Sequence, residues 1–297
     1  MITLAQLPPK PETGHWVHDL DPFIIRFPEG WPIDGLRWYG LAYVAGFAVA
    51  FFLLRLYYKR GRSPYNPDQQ ADFLFAIILG TLIGGRLGYF LLYRFDELLQ
   101  NPLLILRVWE GGMASHGGMI GIVLGMLWFA RKTKTSFWRV ADITCTLGPP
   151  GVLFGRIANF INGELYGRPT DSAWGMHFLD YRYNPLTGYN EWFWTQPVHP
   201  SQLYQAAMEG LVLTIYMQAR FWLSDPNKRS LGQLTGEFLI GYALLRIAGE
   251  VFREPDASLI LGMSRGAFYS LFMIIAGAAI ITLRRKAKPD TLQDKVK

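Results

Sequence analysis

The sequence predicts an all-α polytopic membrane protein with seven transmembrane helices, the N-terminus outside, the C-terminus inside, and a small extracytoplasmic cap. Apolar residues make up 51% of the 297 residues and charged residues 18%, whereas soluble domains carry roughly 25% charged residues. Seven apolar segments approach the ~20 residues that a helix needs to cross a bilayer. Basic residues recur in alternate loops between these segments. We therefore expect a single integral membrane domain over residues 1–297.

Each of the seven segments predicts one membrane-spanning helix, because about 20 residues at a rise of about 1.5 Å each cover the apolar core of a bilayer. Polar side chains interrupt the fourth and sixth segments, so the ends of these two are the least defined. Tyr and Trp residues near the segment ends are typical of the aromatic belts at membrane interfaces. The predicted spans cover residues 38–57, 73–93, 112–130, 143–162, 202–222, 235–252 and 266–283.

Basic residues set the orientation of these spans, because short cytoplasmic loops carry an excess of Lys and Arg. Four basic clusters follow the first, third, fifth and seventh spans, and all four lie on one side if the N-terminus is outside. The net charge of +6 then indicates attraction to an anionic membrane face, and we expect no nucleic-acid partner. The clusters are Lys59, Arg60 and Arg62; Arg131, Lys132, Lys134 and Arg139; Lys228 and Arg229; and Arg284, Arg285, Lys286 and Lys288.

The longest outside loop, residues 163–201, predicts the small extracytoplasmic cap. It contains Trp174, Trp192 and Trp194 together with Pro and Gly, a composition that favours a small folded unit resting on the interface. Cys145 is the single cysteine, which excludes a disulfide framework and a cysteine-based metal site. We expect no metal and no cofactor.

The run from Gly155 to Arg168 is the strongest functional signal. It places charged and amide side chains at the end of an apolar span, where an ionisable group is costly and usually functional. Arg156 and Asn159 are three residues apart and share a helix face, and Glu164 follows them. A guanidinium and a carboxamide on one face can hold a phosphodiester, which indicates a polar lipid head group as the ligand. The alternative is an arginine that snorkels to the outer interface.

His116 lies among glycines in residues 111–118, at the outer end of the third predicted span. Imidazole is a common general base near neutral pH, and the glycines leave room for a substrate beside the ring. The alternative is a histidine that only forms hydrogen bonds at the interface.

Tyr242, Arg246 and Glu250 recur every four residues in the sixth span, so they lie along one helical stripe. Arg246 and Glu250 can form an ion pair at this spacing. Two interpretations remain open. The pair neutralises itself so that the helix can insert, or Arg246 provides a second cation for a phosphate.

Arg86 in the second span and Tyr39 at the start of the first are further candidates. For Arg86, a contact with substrate and a packing role at a small-residue helix interface are equally open. Tyr39 is either a site residue or a belt tyrosine. Glu209 and Glu237 are weaker candidates, expected near the inner side or in helix contacts.

Several blocks of this sequence together resemble the prolipoprotein diacylglyceryl transferase family. The run from Gly155 to Arg168 is similar to the family signature, and further blocks follow the family order from the first span to the sixth. No family pattern is visible between Thr170 and Pro197. The further blocks are Trp38–Gly40, Gly84–Tyr89, Gly111–Gly118, His199–Tyr204 and Gly241–Arg253.

The resemblance implies an enzyme of the bacterial cytoplasmic (inner) membrane with its active site near the periplasmic face. The implied reaction transfers the sn-1,2-diacylglyceryl group of phosphatidylglycerol to the lipobox cysteine thiol of a prolipoprotein signal peptide. It forms a thioether and releases glycerol 1-phosphate. The implied partners are phosphatidylglycerol, the prolipoprotein signal peptide and membrane lipids.

By motif, Arg156 matches the phosphatidylglycerol-binding arginine of the family. The resemblance also assigns roles to other positions, some essential or important and some of lesser weight. The first group is His116, Asn159, Arg246 and Tyr39, and the second is Glu164, Gly167, Tyr242 and Glu250.

We expect Arg156 and Arg246, helped by Asn159, to stabilise the leaving phosphate. His116 is the candidate base for the thiol, whose ordinary pKa is about 8.5. Alternatively, His116 orients the lipid head group, and the arginines lower the thiol pKa so that no dedicated base is needed. A lipid or small-anion transporter would use the same buried arginines. An intramembrane hydrolase would need a serine elbow or a metal cluster that the sequence does not contain.

Overall fold

The computed structural model describes residues 7–31, 33–107, 111–186, 188–226, 228–255 and 258–287. Lys288, counted above in the last basic cluster, lies outside the described residues. The described chain is mostly helical, and a helix lies over each of the seven segments predicted as spans. A π-helical segment, Ala206–Val212, joins α6 to α7, so three consecutive helical pieces cover the fifth segment. The helices are α1 (Trp38–Lys59), α2 (Pro67–Tyr93), α3 (Phe95–Gln100), α4 (Ser115–Lys132), α5 (Phe137–Ile161), α6 (Ser201–Gln205), α7 (Leu213–Leu223), α8 (Gln233–Glu250) and α9 (Arg265–Arg284).

Three helices within the described ranges, α1, α2 and α9, are long and apolar enough to cross a membrane. Their apolar side chains face outward, with Phe52 69% and Ile275 66% exposed. Exposed apolar faces on such helices favour contact with lipid. By contrast, α8 carries Glu237, Arg246 and Glu250 within 18 residues, so composition alone does not identify it as a span.

The chain divides into two compact units. The first comprises Met1–Gly46, Gly148–Gln218 and Glu237–Ala279, and the second comprises Phe47–Leu147, Ala219–Gly236 and Ile280–Lys297. The signature run and the Tyr242 to Glu250 stripe therefore belong to the first unit, while Arg86 and His116 belong to the second.

The segment predicted as a cap is built from short strands in the first unit. An antiparallel hairpin is formed by β5 (Leu179–Asn184) and β6 (Tyr189–Trp194). Preceding it, β4 (Met176–His177) pairs in parallel with β1 (Trp16–Val17), so the N-terminal segment completes the cap. The hydropathy pattern did not indicate these strands, because each is short and partly exposed.

A second antiparallel pair follows β1 in the chain. It is formed by β2 (Phe23–Arg26) and β3 (Gly35–Arg37), and β3 leads directly into α1. The helical fold is therefore accompanied by three two-stranded sheets in the part of the chain that the structure describes.

An aromatic cluster fixes the end of α5 against the cap. The ring of His18 lies 5.2 Å from that of Phe160 in α5 and 4.9 Å from that of Phe178, between the centroids. Trp16 also stacks on Phe160, with the ring centroids 5.9 Å apart. These contacts pack the end of α5, where the run from Gly155 to Arg168 continues, against the cap.

In the second unit, α2 and α4 pack closely through glycines. A methyl group at Gly88 would lie 2.7 Å from the Cα of Gly117, and one at Gly84 would lie 2.9 Å from the Cα of Gly121. Small residues at such contacts are typical of membrane helix pairs, because they let the backbones approach. The packing sets the position of His116, which precedes Gly117 in the first turn of α4.

Also in the second unit, Asp142 of α5 fixes the beginning of α8. Its Oδ2 accepts a hydrogen bond from the Gly232 amide at 2.9 Å, and its Oδ1 accepts from the Thr235 amide at 2.8 Å and the Thr235 hydroxyl at 2.7 Å. A carboxylate at a helix N-terminus is favoured by both the free amides and the helix dipole.

The buried position of His18 predicts a pH-dependent stability. Burial lowers the pKa of His18 below its ordinary value of 6.5, against smaller opposing effects of backbone hydrogen bonds, that of Phe160 first, and of Asp19. The unfolded chain thus takes up a proton at a higher pH than the folded chain does. Stability that is present above pH 6.5 is therefore lost as the pH falls through the lowered pKa.

To measure this, Tm is compared at about pH 7.5 and about pH 5 for the wild type and for His18→Phe. We expect Tm of the wild type to fall more over this interval, because Phe at this position has no proton to bind. Equal falls in the two proteins would contradict the assignment.

Candidate functional site

A chain of alternating charges lies in the first unit. The Nη2 of Arg156 donates to the Oε2 of Glu209 at 2.9 Å, and the Nη1 of Arg246 donates to the Oε1 of Glu209 at 3.3 Å. The Nη2 of Arg246 lies 2.6 Å from the Oε1 of Glu250, which is the ion pair predicted from the four-residue spacing. The side chain of Glu209 is 0% exposed, while those of Arg156 and Arg246 are 16% and 15% exposed. Two guanidinium groups therefore meet at one fully buried carboxylate.

Glu209 is the site residue whose importance the sequence did not reveal. It was expected near the inner side or in a helix contact, yet it lies between the two arginines and also contacts the hydroxyl of Tyr242. The available signal was a carboxylate inside an apolar span, which needs a buried cation as partner. Glu237 was named with Glu209 as a weaker candidate. Its carboxylate accepts a long hydrogen bond of 3.4 Å from the hydroxyl of Tyr216.

A second polar group forms where α5 ends. The Nδ2 of Asn159 donates to the hydroxyl oxygen of Tyr39 and to the Oε1 of Glu164, both at 2.7 Å. Arg156 precedes Asn159 by three residues on the same face of α5. The structure thus brings together Tyr39, Asn159 and Glu164, as the sequence suggested for residues of one site.

The turn after α5 depends on Gly163. Its φ is +70°, a left-handed conformation that glycine adopts freely and that commonly ends helices. The amide of Glu164 then donates back to the Asn159 carbonyl at 3.1 Å. The turn directs Glu164 toward the Asn159 side chain.

Gly167 joins the run from Gly155 to Arg168 to the backbone that follows α8. A methyl group there would lie 2.7 Å from the carbonyl oxygen of His199, so a larger residue would displace the backbone. Gly167 forms a bridge to Arg253, and the Nε of Arg168 donates to the Arg253 carbonyl at 2.8 Å. The Nη1 of Arg253 in turn lies 3.7 Å from the Oε1 of Glu250. The backbone bridge and the chain of charges therefore both join the run from Gly155 to Arg168 to α8 and the residues after it. A direct role of Gly167 in substrate binding stays a prediction.

Arg86, in the second unit, is enclosed by backbone. Its side chain donates to carbonyl oxygens of the segment between α3 and α4, and the residue is only 4% exposed. Such a guanidinium satisfies the carbonyls of a loop that cannot pair with each other. The geometry favours the packing interpretation, and a contact with substrate stays a prediction. The accepting residues are Leu104, Ile105, Arg107, Gly111 and Gly112.

His116 lies in the first turn of α4 and is exposed. An exposed imidazole at a helix start is accessible to a substrate. His116 belongs to the second unit and Arg156 to the first, so a shared role of the two residues in one site stays a prediction.

Chemically, the first unit carries groups whose charge and geometry match those of a phosphate. Two arginines with orientation set by Glu209 each retain further N–H groups. The Tyr39 hydroxyl, which accepts a hydrogen bond from Asn159, lies near enough to Arg156 to interact with its charge. Guanidinium groups match phosphate oxygens in charge and geometry. The arrangement is suited to stabilise a phosphate on which negative charge develops.

The chain matches the family model described as prolipoprotein diacylglyceryl transferase over residues 30–283, a range that contains every candidate residue named above. It is 43% identical over 259 residues to the phosphatidylglycerol–prolipoprotein diacylglyceryl transferase of Rhodospirillum rubrum, covering 86% of this chain and 90% of that protein. The protein of the same name from Aeromonas hydrophila is 41% identical over 288 residues, or 96% and 97% of the two chains. The chain belongs to the prolipoprotein diacylglyceryl transferase family.

Proposed function

We propose that this protein transfers the sn-1,2-diacylglyceryl group of phosphatidylglycerol to the lipobox cysteine thiol of a prolipoprotein signal peptide. The observation that carries this proposal is the pair of arginines, Arg156 and Arg246, held at one buried carboxylate. The names of the relatives supply the lipid and protein substrates.

The proposed reaction is a displacement at a glycerol carbon. The sulfur attacks the carbon that bears the phosphate ester, a C–S bond forms, and the C–O bond breaks. Glycerol 1-phosphate leaves with the electron pair, and the thiol proton passes to a base. Arg156 and Arg246 face the leaving phosphate, where their positive charge lowers the barrier.

Within this mechanism, Asn159 orients Tyr39. Both N–H groups of the Asn159 amide are used, one on the Tyr39 oxygen and one on Glu164. The Tyr39 oxygen accepts, so its own O–H can donate to the lipid head group. We therefore assign Tyr39 as the donor, with Asn159 and Glu164 holding it, in place of Asn159 acting on the phosphate directly.

His116 is the proposed base for the thiol. Imidazole accepts a proton near neutral pH, and the side chain is exposed at the start of α4. The arginines can contribute by lowering the pKa of the bound thiol.

The proposed topology has seven spans, the N-terminus outside and the C-terminus inside the cytoplasmic membrane, with the site near the outer face. It is supported by helices over all seven apolar segments and by basic clusters that follow the first, third, fifth and seventh of them, as the positive-inside rule expects. In this arrangement, the cap over residues 163–201 is extracytoplasmic.

The reaction is tested by incubating the purified full chain with phosphatidylglycerol vesicles and a lipobox peptide. We expect the peptide mass to rise by one diacylglyceryl group and glycerol 1-phosphate to appear in equal amount. A peptide with Ser in place of Cys is the control. A lipid or anion transporter would leave the peptide mass unchanged, and that result would refute the proposal.

Arg156→Ala should remove phosphatidylglycerol binding, because the phosphate loses one of its two guanidinium partners. We expect kcat/KM to fall by about 100-fold to 1,000-fold, the usual cost of removing one charge-stabilising donor. Lipid affinity is measured directly with labelled phosphatidylglycerol. Arg182→Ala, on the exposed hairpin strand β5, is a matched control, and unchanged lipid affinity in Arg156→Ala would exclude the phosphate-binding role.

His116→Gln should lower the transfer rate at neutral pH and recover as the pH rises. Above the ordinary thiol pKa of about 8.5, the substrate is already a thiolate and needs no base. The measurement is the transfer rate against pH for the wild type and the variant. An equal deficit at every pH would show that His116 acts in another way, such as orienting the lipid.

A further inference from the structure

Glu209 holds an unusual electrostatic position. Its carboxylate is completely buried and meets two guanidinium groups, one at each oxygen. Buried carboxylates are costly unless they are paired, and so are two like charges brought side by side. One carboxylate between Arg156 and Arg246 satisfies both requirements.

We propose that Glu209 is a positioning residue for the transfer reaction: its charge holds Arg156 and Arg246 side by side so that both guanidinium groups meet the leaving phosphate. This inference rests on the proposed function. The carboxylate uses one N–H of each arginine, and the further N–H groups of both guanidinium groups are oriented by that anchoring.

The local backbone is adapted to deliver this carboxylate. Glu209 lies in the π-helical segment between α6 and α7, a distortion that is rare and frequent at functional sites. Gly210 lets this segment approach α5, since a methyl group there would lie 2.5 Å from the Cα of Leu153. Leu153 precedes Arg156 by three residues, so the close approach is one turn from the arginine.

The π-helical segment also contacts α8, less closely than it contacts α5. A methyl group at Gly249 of α8 would lie 3.6 Å from the Oε1 of Glu209 and 3.3 Å from the Cγ of Gln205. Tyr242, two turns earlier in α8, contacts the same carboxylate. The π-helical segment is thus packed between the two helices that carry Arg156 and Arg246.

A competing explanation is that Glu209 only neutralises the arginines so that the unit can fold. The two explanations differ in what they predict for Glu209→Gln, which keeps the size of the side chain and removes its charge. If Glu209 positions the arginines, the folded variant binds phosphatidylglycerol but transfers slowly. If it only supports folding, each folded molecule transfers at the wild-type rate.

The test is steady-state transfer by the full chain in detergent with phosphatidylglycerol vesicles and a lipobox peptide, with rates normalised to folded protein. We expect Glu209→Gln to lower kcat by about 100-fold, the typical cost of misplacing groups at a reacting centre by about 1 Å. KM for phosphatidylglycerol should change less, because both cations remain. Glu209→Asp keeps the charge and should retain more activity than Glu209→Gln.

Coupling to Arg156 provides the second measurement. If Glu209 acts through Arg156, the effects of Glu209→Asp and Arg156→Lys on kcat should not multiply in the double variant. This cycle remains informative if Glu209→Gln does not fold. Glu237→Gln, in α8, is the matched control and should transfer at nearly the wild-type rate.

The positioning role would be overturned if folded Glu209→Gln has the kcat of the wild type or a higher kcat than Glu209→Asp. It would also be overturned if kcat of the double variant falls by the full product of the two single effects. If the wild type forms the thioether and any of these results is found, only the positioning role is refuted and the proposed function stands. A wild type that forms no thioether refutes the proposed function and this inference with it.

Discussion

The arrangement of the site depends on one buried electrostatic interaction, the carboxylate of Glu209 between the guanidinium groups of Arg156 and Arg246. Neither two adjacent arginines nor an isolated carboxylate would be stable in an apolar interior, because each carries an uncompensated charge. Together they form a chain of alternating charges that extends through Glu250 toward Arg253. A phosphate that enters such a site meets cations whose orientation is already fixed, so little reorganisation is needed during the reaction.

The surrounding fold maintains this interaction through the backbone. Gly210 allows the π-helical segment to contact α5 closely, and Gly167 bridges the signature run to Arg253, which follows the end of α8. The cap packs on Phe160 through His18, which steadies the end of α5 beside Asn159. Gly167 and Gly210 therefore serve close packing next to the polar groups of the site.

Much of this architecture could be predicted from local patterns. Hydropathy located the helices over the seven apolar segments but not the short helix α3. The four-residue spacing correctly paired Arg246 with Glu250, and Arg156 and Asn159 lie three residues apart in α5 as expected. Glu209 could not be placed, because a π-helical segment shifts the face of every residue within it and no local pattern indicated that distortion. The pairing of β1 with β4 was missed for a related reason: it joins segments about 160 residues apart through two residues each, and pairing between distant segments leaves no periodic trace. Arg86 shows a third limit, since the sequence revealed a buried cation but not the carbonyl oxygens that surround it.

The central claim is that the lipid phosphate binds to both arginines while Glu209 still joins them. A structure of the full chain with phosphatidylglycerol, determined by cryo-electron microscopy in a lipid nanodisc, tests it most directly. The account predicts phosphate oxygens within hydrogen-bonding distance of Arg156 and Arg246, with the Glu209 carboxylate still between the two guanidinium groups. A phosphate bound away from these arginines, or a Glu209 side chain displaced from both of them, would contradict it.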